Sequence, residues 1–409
     1  MLITLAWRNL WRQKRRTFLT ASALALALFL SLLVRSLQEG TYSSNIDNAA
    51  RFYTGLIQVQ QPKYADSLSI DDILPMDDMI TAPMKQNANI SVMLPRIESF
   101  ALAAAGDKSK GVLVMGIDPQ GEDQYSSISN KIVQGEFLHK DEQKLVIGQG
   151  LASYFSLTVG DELILYGQGY RGQTAAGLYP IKGIVRFPIA DLDNQLVYMP
   201  LSVAQALYST GEQVTSWVLH TKELSQLPST VDALKAAYKD RVNVRDWQDL
   251  APELAQQIMM DRVGGVFLIY VLYGVVGFGL FATILMMTLE RQREFGVMLA
   301  TGLLRVRLLQ LIFIESVFIA CIGIVLGLVC SAPVLTYLYF YPIEITGDAA
   351  QLMLDSGFLP VMPILIAPEL FIDQVIAILF ILLLCLIYPM YRIYTLDLVR
   401  ALKGGAHAH

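Results

Sequence analysis

The segment TLERQREFGVMLATGLLRVRLL, residues 288–309, places four arginines and two glutamates between two long apolar runs. Within it Phe295, Leu299 and Leu303 recur every four positions, which is the spacing of one face of a helix. Gly302 provides a natural end for that helix. The pattern therefore predicts a short amphipathic helix between the two apolar runs.

The two glutamates of this segment, Glu290 and Glu294, fall on a different face from the apolar residues. Carboxylates at a membrane surface are unfavourable beside anionic lipid, so the pattern favours a contact with a protein partner. The alternative is an interfacial turn whose arginines only fix the topology of the chain.

A third carboxylate, Glu315, lies inside the next apolar run, about two helical turns from the charged segment. An ionisable residue at such a position is by default a functional hypothesis, here a proton or substrate contact. The structural alternative is that Glu315 reaches the interface or pairs with Arg305 or Arg307.

Common catalytic and metal-binding motifs are absent from the sequence. It contains no G-x-x-x-x-G-K-[ST] loop, H-E-x-x-H pair, cysteine pair or G-x-S-x-G elbow. The chain is therefore predicted not to be an enzyme and to bind no cofactor or metal directly. The histidines, His139, His220, His407 and His409, are scattered or terminal, and a weak metal site in the terminal His-Ala-His is the alternative to a disordered end.

The composition is that of a membrane protein. Hydrophobic residues make up 54% of the 409 positions and charged residues 16%, with a mean hydropathy of +0.45, which exceeds what soluble globular chains tolerate. The net charge of −5 offers no support for nucleic-acid binding. Four uncharged stretches are long enough to cross a bilayer as helices: 17–34, 263–289, 316–343 and 374–391.

The first apolar stretch follows the basic run RQKRR and has some features of a signal peptide. It is longer than the roughly 7–15 residues of a signal core, so a retained span is predicted. Cys321, Cys330 and Cys385 all lie inside the apolar runs, where they are expected to be inert packing residues.

The distribution of basic residues sets the predicted orientation. They cluster in residues 8–16, in the loop 290–307 and in the C-terminal tail, whereas residues 342–373 contain five acidic residues and no basic one. Both termini and the loop 290–307 are therefore predicted to be cytoplasmic. Residues 38–262 and 342–373 are predicted to lie outside.

The long outer segment is predicted to be a folded α+β domain. Short β-type runs separated by Gly, Asp and Pro indicate strands, at residues 56–60, 110–118, 144–148, 162–166 and 195–200. Helical stretches interrupt them near 150–156, 201–208 and 229–239. Residues 62–89 are polar and irregular, which favours a mobile excursion.

The end of this domain leads directly into the second apolar stretch. Pro252 suits a first helical turn, and no later proline or turn signal precedes residue 289. One helix over about 250–289 would be roughly 60 Å long, against about 30 Å of hydrocarbon core, so nearly half would project as a stalk. The alternative is a break at Gly264–Gly265 that leaves two helices.

Several segments resemble one protein family. ERQREFGVMLATG, followed by ESVFIACIGIVLG, resembles the C-terminal region of FtsX/MacB-type ABC transporter permeases. AWRNLWRQKRRTFLT resembles the N-terminal segment of that family, and GQGLASYFSLTVGDELIL, IKGIV and VYMPL resemble its periplasmic core. GIDPQGE and DWQDLAPELAQQI are similar to the lipoprotein-releasing LolC/LolE branch. A mild departure is Met298-Leu299, where relatives often have leucine and a basic residue.

The resemblance implies a bacterial inner-membrane protein with four transmembrane α-helices and a large α+β periplasmic domain, a MacB-like core, inserted between helices 1 and 2. The implied boundaries are 1–16 for a cytoplasmic amphipathic segment, 17–37 for the first span, 38–249 for the periplasmic domain, 250–289 for the stalk and second span, 290–307 for a coupling helix and loop, 308–341 for the third span, 342–373 for a periplasmic loop, 374–392 for the fourth span and 393–409 for a cytoplasmic tail.

In this family the loop after the second span is a coupling helix seated on a cytoplasmic ATPase. The resemblance therefore implies a separate ATPase subunit that supplies ATP and Mg²⁺ chemistry, and a dimer with a second permease copy or a paralogue. The residues that would make or shape the ATPase contact are Glu290, Arg291, Glu294, Phe295, Gly296 and Gly302.

Two further sets of residues follow from spacing and resemblance. Gly323 and Gly327 form a G-x-x-x-G pattern that permits close helix packing, within the subunit in preference to a dimer seam. In the LolC branch a periplasmic loop recruits a soluble lipoprotein carrier, and the corresponding position here is 167–180. Its candidate contact residues are Tyr170, Arg171, Leu178 and Tyr179, with an ordinary β-hairpin turn as the alternative.

The resemblance implies a mechanotransmission-type permease, in which ATP hydrolysis in the cytoplasm drives periplasmic movements that handle a lipoprotein or another amphiphile. Three alternatives stay open: MacB-like efflux with a periplasmic adaptor, FtsX-like regulation of a periplasmic hydrolase without transport, and a membrane-anchored binding module without an ATPase. The coupling motif argues against the last.

Overall fold

The computed structural model describes residues 2–12, 14–140, 142–187, 190–239, 241–355 and 360–396. The chain divides into two compact units. The helical unit comprises Met1–Thr41, Met259–Ile343 and Met362–His409, and the α+β unit comprises Tyr42–Ile258 and Glu344–Val361.

The helices of the described chain are α1 (Leu2–Arg12), α2 (Lys14–Ala49), α3 (Tyr64–Ser67), α4 (Asp78–Gln86), α5 (Pro119–Ser126), α6 (Gln149–Phe155), α7 (Ala190–Gln195), α8 (Leu201–Tyr208), α9 (Leu227–Tyr238), α10 (Trp247–Leu250), α11 (Pro252–Glu290), α12 (Gln292–Ala300), α13 (Arg305–Phe340), α14 (Asp348–Asp355) and α15 (Pro368–Tyr394). The strands are β1 (Ile57–Gln60), β2 (Leu74–Pro75), β3 (Ile90–Ala105), β4 (Lys108–Ile117), β5 (Ile132–Gly135), β6 (Leu145–Gly148), β7 (Glu162–Gln168), β8 (Thr174–Val185), β9 (Leu196–Pro200), β10 (Gln213–Val214), β11 (Ser216–Thr221), β12 (Asn243–Asp246), β13 (Ile343–Glu344) and β14 (Val361–Met362).

Four helices are long and apolar enough to span a membrane, as the sequence predicts. They are α2 with the π-helical turn that continues it to Thr54, α11, α13 and α15. Helix α11 has no break at Gly264–Gly265, because glycine lowers helix propensity without removing a backbone hydrogen bond. The alternative with two separate helices is therefore wrong.

The spans of the helical unit are held together by the close approach of α13 to α2 and by a buried hydrogen bond between α11 and α15. A Cβ at Gly323 would lie 2.8 Å from the Cβ of Leu24, and one at Gly327 would lie 3.0 Å from the Cβ of Leu28. These two glycines of α13 therefore lie against α2 within the same chain. On another side of the bundle, the hydroxyl of Tyr273 in α11 hydrogen-bonds to Gln374 of α15, which satisfies both polar groups away from water.

The core of the α+β unit is a closed ring of strands. The order β3-β4-β9-β6-β8 is completed by β7, which pairs with both β8 and β3. Pairs β4/β9 and β6/β8 are parallel, and the remaining pairs of the ring are antiparallel. Because side chains alternate along a strand, one set fills the ring, including Val112, Val114, Leu163 and Leu165, all fully buried.

A second, smaller sheet region continues from the same ring. The first half of β3 pairs with β11, which pairs with β1, and β1 pairs with β12. The second half of β3 pairs with β4. The pairing partner changes between Arg96 and Ile97, so this 16-residue strand belongs to both regions. The sequence did not predict β3, since its apolar, alanine-rich end lacks a clear alternation.

The predicted strands and helices of this unit are otherwise confirmed, with bounds within a few residues. The interpretation of residues 62–89 as an irregular excursion is wrong. They contain α3, β2 and α4, and the side chains of Tyr64, Leu74 and Met84 are buried. Asp77 caps α4 by accepting a hydrogen bond from the Ile80 amide at 3.0 Å. The sequence pattern did not show this order, because polar residues separate the buried apolar side chains.

Candidate functional site

The charged segment between α11 and α13 folds as the short helix α12. Its backbone ends at Gly302, whose φ of 95° is the left-handed conformation that favours glycine. Phe295 is buried, and Leu299 and Leu303 pack against the same core of the helical unit. The predicted amphipathic helix, its apolar face and its glycine stop are confirmed.

Arg291, which precedes α12, points inward and is only 4% exposed. Its Nη1 donates a hydrogen bond to Oε2 of Glu315 at 2.7 Å, and its Nε donates to Oε2 of Glu294 at 3.2 Å. The guanidinium also lies over the Phe295 ring, 5.1 Å from the centroid. One side chain thus connects the first turn of α12 to the interior of α13.

Glu315 is likewise 4% exposed, and both of its oxygens have partners. Arg291 binds one oxygen, and Nδ2 of Asn9 donates to the other at 2.6 Å. The predicted pairing of Glu315 with Arg305 or Arg307 is wrong. Arg305 instead donates to the backbone carbonyls of Tyr394 and Leu396, where unpaired helix C-terminal oxygens attract a cation.

The two exposed glutamates of the segment bind the N-terminal arginines. Glu290 accepts two hydrogen bonds from the Arg16 guanidinium, at 2.5 and 2.9 Å, and Glu294 pairs with Arg12. Although partial burial opposes ionisation, hydrogen bonds from Arg291 and Arg12 lower the pKa of Glu294. Together these contacts tie α12 and the residue before it to α1 and α13, and the end of α11 to the start of α2.

The exposed residues of the charged segment are not the same as the residues predicted to make or shape the ATPase contact. Arg291, Phe295 and Gly296 are buried within the chain, so they can shape a partner site but cannot contact a partner directly. Sequence reasoning missed the exposed apolar residues Val297 and Leu304, because exposure depends on which face packs against the bundle.

The predicted partner loop at 167–180 is mostly β-hairpin. Strands β7 and β8 continue to Gln168 and resume at Thr174, so only residues 169–173 form the connection. The hairpin alternative is confirmed, and a partner contact made by this hairpin stays a prediction. Arg171 has a φ of 53°, and its amide donates to Oδ1 of Asp71 at 2.6 Å.

The four candidate residues of this hairpin differ in their accessibility. The Arg171 guanidinium lies over the Tyr170 ring, 4.9 Å from its centroid. Tyr179 packs against the core of the strand ring, where burial raises the pKa of its hydroxyl. Leu178 is exposed, and it lies opposite Ile164, which is also exposed.

Leu178 belongs to a continuous apolar surface on the outside of the strand ring. The pairings Ile164↔Leu178 and Leu102↔Tyr166 place these side chains on neighbouring strands β8, β7 and β3. All four are exposed, as is Phe100 two residues before Leu102. An exposed cluster of large apolar residues is typical of an interaction surface. This outer ring surface was not predicted, because it needs the strand register.

A buried ionic cluster lies where β3 changes its pairing partner. Arg96 is fully buried, and its guanidinium donates to both oxygens of Glu122, at 2.5 and 2.9 Å. It also donates to the carbonyl of Tyr53. Despite its burial, the adjacent carboxylate of Glu122 raises the pKa of Arg96. The fork geometry of arginine suits this two-point contact, which fixes β3 against α5.

His220 of β11 adjoins this cluster and is 1% exposed. Its ring lies 3.6 Å from the Tyr125 ring, centroid to centroid, and neither ring nitrogen has a hydrogen-bond partner among the described residues. Burial, with the nearby cations Arg96 and Arg51, lowers the pKa of His220 well below its ordinary value. His220 is therefore neutral in the folded protein near neutral pH. His139 is exposed, and His407 and His409 lie outside the described residues.

The state of His220 predicts a specific loss of stability in acid. The pKa of His220 is lower in the folded protein than in the unfolded chain. The neutral ring therefore contributes fully to the free energy of unfolding above the unfolded pKa of about 6.5, and this contribution is lost as the pH falls below that value. The free energy of unfolding should therefore fall between pH 7.5 and 5.0, as the unfolded chain binds a proton that the folded chain excludes. Thermal unfolding of the full chain in detergent at pH 7.5 and 5.0 measures the effect. His220→Phe keeps the stacked ring without the titration and should lose less stability; an equal loss would contradict this assignment.

Two family models match consecutive parts of the chain. The model for the MacB-like periplasmic core domain matches residues 17–237, and the model for the FtsX-like permease C-terminal region matches residues 266–398. The first match covers α2 and most of the α+β unit, and the second covers most of α11 and all of α12, α13 and α15.

Individual relatives agree with these matches. The lipoprotein-releasing system transmembrane protein LolC of Neisseria meningitidis serogroup B is 24% identical over 58% of this chain and 59% of its own length. LolE of Haemophilus influenzae is 25% identical over 62% of this chain and 64% of its own length. The macrolide export ATP-binding/permease protein MacB of Nitrosomonas europaea is 22% identical over 84% of this chain and 53% of its own length. The alignments thus span less than two thirds of each relative.

The four spans and the inserted α+β unit define the class of protein: a multi-pass inner-membrane permease with a large periplasmic domain between its first and second spans. The chain belongs to the MacB/FtsX family of ABC transporter permeases. The fold predicted from the resemblance is confirmed.

Proposed function

We propose that this chain is the membrane subunit of a mechanotransmission-type ABC transporter. A separate ATPase subunit, using ATP and Mg²⁺, binds the segment containing α12. Closure of the ATPase pushes this segment, and the displacement passes along α11 to the periplasmic domain. The cargo is a lipoprotein or another amphiphile, handled on the periplasmic face without a central pore.

The anchoring of α12 is the observation that carries this proposal. Glu294 of α12 forms a salt bridge with Arg12 of α1. Arg291, directly before α12, binds Glu315 of α13, and Glu290 at the end of α11 binds Arg16 of α2. A force applied to α12 would therefore move these elements together. The exposed surface of the segment presents Val297 of α12 and Leu304 before α13, 49% and 64% exposed, which suit an apolar contact on a protein partner.

The continuity of α11 supports transmission away from the coupling segment. The helix runs without interruption from Pro252 to Glu290. Glu290 itself binds Arg16 at the start of α2. A helix resists axial compression because its backbone hydrogen bonds lie along the axis. We propose that both termini and α12 are cytoplasmic, since the basic residues concentrate there.

A dimer is the second part of the proposal. An apolar groove of about 580 Å³ lies between α2 and α11, lined by small and apolar residues that include Ala23, Val276, Gly279 and Thr283. A Cβ at Gly279 would meet no atom within 4 Å, so this side of α11 is open to a neighbouring helix. The groove suits a second permease copy or a paralogue.

The outer ring surface, Phe100, Leu102, Ile164, Tyr166 and Leu178, supports a periplasmic protein partner. Its neighbouring hairpin contributes Arg171 and Tyr170 at the edge, so an apolar centre has a polar rim. The names of the LolC and LolE relatives favour lipoprotein release. Efflux with a periplasmic adaptor is the second candidate, favoured by the match to MacB over 84% of the chain.

Replacing both Glu290 and Glu294 by alanine tests the coupling role. Loss of the contacts to Arg16 and Arg12, two partly exposed ion pairs, is expected to lower transport per ATP hydrolysed by up to roughly 30-fold, the limit for two pairs of this kind. ATP hydrolysis and release of a lipidated protein are measured in proteoliposomes that contain the purified complex. Asp232→Ala, on an exposed helix surface of the α+β unit, is the control. Unchanged transport would refute the coupling role.

Co-purification from native membranes tests the class of partner and cargo. We expect an ATPase together with a bound lipidated protein. An adaptor in place of the lipidated protein would favour efflux, and a hydrolase would favour regulation. Recovery of the chain without any ATPase would overturn the proposal as a whole.

A further inference from the structure

The N-terminal helix α1 forms one wall of an apolar groove in the helical unit. Ala6 and Leu10 on its inner face are buried, and the Trp7 ring packs edge-on against Phe318 of α13 at 5.6 Å. Trp7 and Trp11, about 100° around the helix from Ala6 and Leu10, remain exposed. Tryptophan on an amphipathic helix is typical of the boundary between lipid headgroups and acyl chains.

The groove has a volume of about 530 Å³ and is lined by α1, α2 and α13. Its apolar lining includes Trp7, Trp11, Phe18 and Ile322. The charged residues of the lining are Lys14 and Arg15, and no carboxylate lines it. The groove therefore combines apolar walls with two positively charged side chains.

The basic residues between Arg12 and Arg16 fall into two groups, those in salt bridges and those that line the groove. Arg12 and Arg16 form salt bridges with Glu294 and Glu290. No salt bridge involves Lys14 or Arg15 within the described ranges, and both are exposed. Arg12 is the last residue of α1 and Arg16 lies in the first turn of α2, whereas Lys14 and Arg15 line the groove.

We propose that this groove binds an anionic phospholipid, with an acyl chain along Trp7, Trp11 and Phe18 and the headgroup phosphate on Lys14 and Arg15. Two cations near a membrane surface attract an anionic headgroup, and the long stems of both side chains let their charges reach it. The assignment to the cytoplasmic leaflet rests on the orientation in the proposed function. The choice of an anionic lipid rests on the groove alone.

Quenching of tryptophan fluorescence by brominated lipids tests the site. The full chain is reconstituted in vesicles of phosphatidylcholine and phosphatidylglycerol in which only one of the two lipids is brominated. The signal is the emission that Trp7→Phe/Trp11→Phe removes. We expect brominated phosphatidylglycerol to quench this emission at roughly tenfold lower mole fraction than brominated phosphatidylcholine.

Substitutions at the headgroup end separate the possible outcomes. Lys14→Gln/Arg15→Gln should abolish the preference for phosphatidylglycerol, whereas Arg8→Gln, which changes an exposed cation of α1 outside the groove, should preserve it. Equal quenching by both lipids, or a preference that survives Lys14→Gln/Arg15→Gln, would overturn the proposal. Quenching by neither lipid would show a protein occupant, such as a second copy, and would also overturn it. None of these results depends on ATP hydrolysis or transport, so they are independent of the coupling test.

Discussion

Arg291→Met is expected to destabilise the helical unit by about 3–5 kcal/mol, the usual cost of removing one partner from a buried ion pair. The substitution leaves the carboxylate of Glu315 buried without its cation, since Asn9 supplies only a neutral donor. It also releases the link from Arg291 to Glu294. The measurement is the thermal unfolding midpoint of the full chain in detergent, with the wild-type chain in parallel.

The double variant Arg291→Met/Glu315→Leu separates stability from coupling. Replacing both charges by apolar groups should restore most of the lost stability, but transport per ATP should stay low because α12 is no longer bound to α13. Arg293→Met, an exposed neighbour on α12, should change stability by less than about 0.5 kcal/mol. If the double variant is as unstable as Arg291→Met, the pair is not the anchor of the segment.

Arg96→Met is expected to destabilise the α+β unit by a similar amount, about 3–5 kcal/mol. Glu122 would remain buried without its guanidinium, and the carbonyl of Tyr53 would lose its donor. Because the cluster lies where β3 passes from β11 to β4, the effect should reach both sheet regions. Amide hydrogen exchange of β3, β4 and β11 measures it strand by strand.

Two further variants test this assignment. Arg96→Met/Glu122→Leu removes both charges and should recover most of the protection. Arg186→Met, an exposed arginine whose Nε donates to Gln149, should leave exchange in β3 unchanged. Faster exchange confined to β11, with β4 unaffected, would show that the cluster does not join the two regions.

Much of the architecture follows from local sequence patterns. The spans at α11, α13 and α15 are predictable because a bilayer demands about 20 apolar residues in a row. The helix α12 is predictable because Phe295 and Leu299 repeat with the helical period and Gly302 ends it. Many strands between residues 110 and 200 are predictable because turn residues separate short β-type runs.

Errors arose where the outcome depends on distant partners. Residues 62–89 looked irregular because their anchors Tyr64 and Met84 are separated by polar residues, and only packing against other strands orders them. For residues 167–180 the sequence left a partner loop and a hairpin open, because their glycines and small residues carry little strand signal. Pairing of β7 with β8 decides for the hairpin. Strand register also creates the outer ring surface.

By itself, the sequence determined the four spans, the inserted α+β domain, the amphipathic character of α12 and the family, because each depends on neighbouring residues or on a continuous motif. Only the tertiary structure decided that Arg291 faces inward and that Glu315 binds Arg291 and Asn9 in place of Arg305 or Arg307. Asn9 and Glu315 are 306 positions apart, and no local pattern encodes such a pairing. It is selected because a buried carboxylate must find donors, and helix packing determines which donors lie within reach.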